Sequence, residues 1–125
     1  MDPVQHFQIP IDNVERAKKF YSDVFGWEIT SFPDINYHAV VTVPTDERGH
    51  PTIPGSINGG LFERGTHGQE GISVVVTVES IDEYLKRIQS AGGKMVLAKT
   101  PVGDFGFFAQ LSDTEGNILG LWQNP

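Results

Sequence analysis

His6 to Tyr21 reads HFQIPIDNVERAKKFY, and this stretch decides the fold. Its first half alternates: Phe7, Ile9 and Ile11 point one way and His6, Gln8 and Pro10 the other, as the two-residue period of a half-buried strand requires. Its second half changes period. Val14, Ala17, Phe20, Tyr21 and Val24 recur at helical spacing, with Asn13 placed to cap the start and Gly26 to end the helix. The stretch therefore predicts a strand running directly into an amphipathic helix.

The same plan returns in GISVVVTVESIDEYLKRIQSAGGK, where Val74, Val76 and Val78 share a strand face and Ile81, Leu85 and Ile88 line a helix. Ser80 and Glu83 form a capping box at its start. Setting Asn13 on Ser80 gives an offset of about 67 residues, which also pairs Val14 with Ile81, Tyr21 with Ile88, Gly26 with Gly93 and His6 with Ser73. Short strand-like runs follow each helix: 27–32, 37–43 and 57–63 in the first half, 94–98, 106–112 and 117–123 in the second. GLFE at 60–63 echoes GLWQ at 120–123. The expectation is an α+β chain forming a single domain over 1–125, built from two βαβββ modules, about 1–66 and 67–125. Their helices would cover one side of a cup-shaped mixed sheet. ERGTHGQEG at 63–71, including His67, reads as the linker between modules, and 44–56, with His50, as a surface loop or lid.

Composition narrows the function. Nine Lys and Arg against sixteen Asp and Glu give a net charge of −7, unfavourable for nucleic acid or an anionic membrane. The chain has no cysteine, which removes thiol nucleophiles, disulfides and Cys-type zinc sites. No run is long enough to cross a bilayer and the N-terminus lacks signal-peptide character, so a cytoplasmic location is expected. There is no nucleophile elbow, phosphate-binding P-loop or dinucleotide fingerprint, and DFGFF at 104–108 reads as a turn into a strand.

The segments HFQIPIDNVERAKKFYSDVFGWEI, SINGGLFE, VVVTVESIDEYLKRIQSAGGK and LSDTEGNILGLWQ resemble the vicinal oxygen chelate superfamily. That superfamily includes lactoylglutathione lyase (glyoxalase), bleomycin-resistance proteins and extradiol dioxygenases. The resemblance implies the glyoxalase/bleomycin-resistance fold and, in metal-using members, a divalent ion held by one residue from the first and last strand of each module. Here those positions carry His6, Gly60, Ser73 and Gly120, and only His6 is a strong ligand type.

The sequence therefore points to a small organic ligand bound in the cup by His6, Gln8, Trp27, His38, Gly60, Ser73, Phe107, Gly120 and Trp122. His6 is the candidate catalytic group, there is no metal ligand set, and no cofactor is expected. Sequestration and metal-free chemistry both stay open. One alternative is a metal-dependent lyase, isomerase or dioxygenase using His6 with ligands elsewhere; another is a non-catalytic regulatory or structural module whose own side chains fill the cup. Partners implied are a small molecule and, from resemblance and from sheet edges needing cover, a second copy in a homodimer.

Overall fold

The computed structural model describes residues 1–66 and 69–125, so His67 of the expected linker lies outside the described residues. The chain forms two compact units, one spanning His6–Ile72 and the other Ser73–Pro125 together with Met1–Gln5. We refer to them as the first and second modules.

The first module contains most of β1 (Val4–Ile11), α1 (Val14–Phe25), β2 (Glu28–Phe32), a 3-10 turn at Pro33–Ile35, β3 (Tyr37–Val41) and β4 (Asn58–Glu63). Its strands lie in the order β2-β3-β4-β1, with β1 parallel to β4 and the other pairs antiparallel. The second module repeats this plan with β5 (Ser73–Thr77), α2 (Ile81–Ser90), β6 (Lys94–Val102), β7 (Gly106–Ser112) and β8 (Ile118–Gln123). Its order is β6-β7-β8-β5, with β5 parallel to β8. The two βαβββ modules expected from the repeat are the observed architecture.

Local chemistry sets the helix ends. Asn13 Oδ1 accepts from the Arg16 amide at 2.9 Å, and Ser80 Oγ accepts from the Glu83 amide at 3.4 Å. Gly26 ends α1 in the left-handed region at φ 71°. The expected pairing of Gly26 with Gly93 is off by one, because the left-handed residue after α2 is Gly92, at φ 97°. Gly93 serves close approach instead, since a methyl group there would lie 2.7 Å from Ile88 Cγ2 and 2.8 Å from the Ser112 carbonyl.

Each helix covers one face of its own sheet. In the first module Ile11, Val40 and Leu61 form the core, with Phe7, Ile9, Val14, Ala17 and Tyr21 packed around them. In the second module Val78, Ile81, Leu85, Ala109, Leu111 and Leu121 do so. Ile81 is fully buried, a burial worth about 2 to 3 kcal/mol. β6 runs to Val102, beyond the expected end at Ala98. It ends the order of its sheet, where Pro101 is tolerated, and two register shifts between Met95 and Thr100 bend it. The second module also takes in the chain's first residues: Pro3 O accepts from the Thr77 amide at 2.9 Å, and Tyr84 donates to Asp2 at 2.8 Å. Among the described residues, no helix is long and apolar enough to cross a membrane.

Candidate functional site

Because Phe7, Ile9 and Ile11 pack toward α1, strand alternation turns His6, Gln8 and Pro10 to the helix-free face of the first module. The strand registers arrange that face in three rows. Gln8, Gly60, Ala39 and Thr30 are paired in series across β1, β4, β3 and β2. On one side of them lies an aromatic row, with Pro10 opposite Phe62 and Tyr37 opposite Phe32; the Tyr37 and Phe32 rings stack with centroids 6.2 Å apart. On the other side His6 stands opposite Asn58 and Glu28 opposite Val41. The middle row carries the smallest residues of the three, Gly60 and Ala39.

Burial governs the chemistry of this face. Desolvation lowers the His6 pKa to about 4, so its imidazole is neutral at neutral pH and offers one donor and one acceptor nitrogen. Neither ring nitrogen is hydrogen-bonded to another described residue. Burial also raises the Tyr37 pKa, keeping the phenol protonated. Gln8 Oε1 is buried with no hydrogen-bond partner among the described residues. An amide oxygen left so costs about 1 to 3 kcal/mol, an expense that a bound donor would relieve.

His38 and Trp27 leave this face. His38 shares the parity of core residue Val40, and its Nδ1 shares a 2.9 Å hydrogen bond with Ser31 Oγ. Its pKa is lowered by burial and by Lys18 of α1, against an opposing effect of Glu15. It lines a cleft of about 200 Å³ with Asp12, Asn36 and Glu63. Trp27 stacks on Tyr21 at 5.0 Å and 12° and packs against Phe7 at 5.7 Å, so it closes the end of α1 in the core.

On the helix-free face of the second module stand Ser73, Gly120 and Trp122, because Val76, Leu119 and Leu121 face α2. Ser73 Oγ is buried without a partner among the described residues. Trp122 donates from Nε1 to Asn124 Oδ1 at 3.0 Å. Phe107 goes to the helix side with Ala109 and Leu111, and Lys99 Nζ lies 4.5 Å over its ring. Phe108 takes the helix-free face instead, opposite Trp122. Sequence reasoning did not single out Tyr37 or Val75, and it grouped Phe108 with Phe105 and Phe107 as aromatic candidates for the cup. The alternation Phe107, Ala109, Leu111 was the available signal for Phe108.

A divalent ion of the kind the fold family uses does not fit this donor set. A methyl group at Gly60 would lie 3.3 Å from the Tyr37 ring, 3.4 Å from the His38 carbonyl and 3.6 Å from His6 Nε2. At Gly120 it would lie 2.7 Å from the Phe108 ring and 2.9 Å from Val75 Cγ2. At Gly120 side chains of the protein occupy the space into which a carboxylate would project, and at Gly60 the Tyr37 ring would have to give. Among the described residues, no three His, Asp or Glu side chains gather as a metal-binding group.

A family model described as bleomycin resistance protein-like N-terminal matches residues 4–44. A glyoxylase-like domain-containing protein of Didymella fabae is 30% identical over 129 residues, taking in 98% of this chain and 94% of that protein. The anthracycline biosynthesis protein DnrV of Streptomyces peucetius is 23% identical over 124 residues, taking in 94% of this chain and 45% of that protein, so the chain spans under half its length. Methylmalonyl-CoA epimerase from Mycobacterium tuberculosis shares the fold, with a TM-score of 0.61 at 15% identity over 98% of this chain and 87% of that one.

Proposed function

The chain belongs to the vicinal oxygen chelate superfamily as a glyoxalase-like member, and from that membership we propose that it binds a small organic ligand without the divalent ion. The ligand lies on the helix-free face of the first module, beside His6. The donor set carries this reading: of the four positions from which metal-using relatives would hold an ion, His6 alone supplies a strong ligand, while Ser73, Gly60 and Gly120 do not. One imidazole leaves an aqueous ion most of its water and contributes no charge.

A neutral His6 imidazole, with one donor and one acceptor nitrogen, suits hydrogen bonding to an organic molecule. The names of the matched family and of DnrV concern bleomycin and anthracyclines, which are organic molecules rather than polymers. Elemental analysis and calorimetry with nickel, zinc, manganese and iron test the reading. The expected result is no stoichiometric ion and no heat of binding. A stoichiometric ion of micromolar affinity, weakened by His6→Ala, would overturn it.

A further inference from the structure

The mismatch between the fold family's divalent ion and this chain has a steric side in the second module, an inference that rests on the ion-free reading above. The resemblance places Ser73 and Gly120 at the two positions from which this module would hold an ion. Val75 pairs with Gly120 where β5 runs parallel to β8, and on the other side of β8 Gln110 pairs with Gly120 and Phe108 with Trp122. Phe108 and Gln110 share a face, so the Phe108 side chain stands one step along the strand from Gly120 and its ring turns over it. A methyl group at Gly120 would lie 2.7 and 3.1 Å from Cε1 and Cζ of that ring and 2.9 Å from Val75 Cγ2. Gly120 is buried and Val75 is 1% exposed, so the branched side chain has no free space into which to move. Ser73 is buried as well, with its Oγ sealed from solvent.

A divalent ion that serves chemistry keeps water or substrate oxygens in the coordination positions that the protein leaves open, and it needs room for them. The Phe108 ring and the Val75 methyl group, closed over Gly120, offer neither a donor nor that room. Ligand identity is therefore only part of what keeps an ion out of this module. We propose that Phe108 sets this specificity: packed over Gly120 with Val75, it keeps the face closed to a divalent ion even where ligand side chains are supplied at positions 73 and 120.

Two variants of the full chain test this, Ser73→His with Gly120→Glu, and the same pair with Phe108→Ala. Each is checked for folding by circular dichroism and titrated with nickel chloride by calorimetry beside the unmodified chain. The pair should bind nickel within twofold of the unmodified chain, and adding Phe108→Ala should tighten binding at least tenfold. Tighter binding by the pair with Phe108 in place, or no gain from Phe108→Ala, would overturn the inference while leaving the ion-free reading of the unmodified chain standing. A stoichiometric ion in the unmodified chain would overturn that reading instead. If neither variant folds, Gly120→Ala is melted with Phe108 intact and with Phe108→Leu, which stays apolar but withdraws the ring edge. The loss in Tm should be at least halved in the second background, and an equal loss in both would overturn the inference.

Discussion

The two modules share strand order and helix capping, yet they treat one equivalent position differently. At Gly60 the nearest neighbour of an added methyl would be the edge of the Tyr37 ring at 3.3 Å, close but able to give. At Gly120 the Phe108 ring and Val75 would both lie under 3 Å, with Val75 itself almost wholly buried. The helices differ in the same direction. No residue of α1 is fully buried and Phe20, Val24 and Phe25 are more than half exposed, whereas α2 buries Ile81 and Leu85. A duplicated plan has thus been packed more tightly in the second copy than in the first.

The largest effect expected from this contrast is at the helix starts. Ile81→Ala should cost about 2 to 5 kcal/mol, and Val14→Ala, at the equivalent half-buried position, no more than about 1.5 kcal/mol. Urea denaturation of the two variants measures the difference, and equal losses would break the comparison. The next effect is in acid. His6 is lowered to about 4 in the folded chain from an ordinary 6.5, so the unfolded state takes up its proton first as pH falls. The stability contributed by neutral His6 is intact above pH 6.5 and is lost between 6.5 and 4, to a total of about 3 kcal/mol. His6→Ser, which copies the residue that the second module carries at this position, should flatten that part of the stability profile. The smallest effect is at the glycines. Gly120→Ala should cost about 1 to 3 kcal/mol through overpacking, and Gly60→Ala under about 1 kcal/mol. Thermal melts of the pair would sharpen the contrast or remove it.

Period and punctuation made the fold legible. The change from alternation to helical spacing at Asn13, and its return at Ser80, located both helices and the strands before them, because those signals are local and each side chain reports its own burial. The shift from Gly93 to Gly92 was hidden because it depends on how near the Ser112 carbonyl comes, a contact distant in sequence. His6, Gln8 and Gly60 could be placed on one face because β1 alternates cleanly. His38 could not, since its side is set by the pairing of β3 with β4 across a long loop, and that register turns the whole strand one way or the other. Phe107 and Phe108 are adjacent and chemically alike, so only the register with β8 distinguishes the ring that packs under α2 from the one that covers Gly120. Trp27 directly follows the helix stop, a position that suits packing against the helix end, and its stacking on Tyr21 is that packing.

The ring of Phe108 over Gly120 also bears on which mutational routes are open to this chain. Glu introduced at 120 would arrive in space already taken, so a carboxylate cannot be placed there in one step. Clearing the space first, by Phe108→Ala, removes a large apolar side chain at a cost of about 3 to 5 kcal/mol, a substantial share of the 5 to 15 kcal/mol that holds a typical domain folded. Either order of substitution passes through a weakened intermediate, so a carboxylate and a packed ring exclude one another at this position.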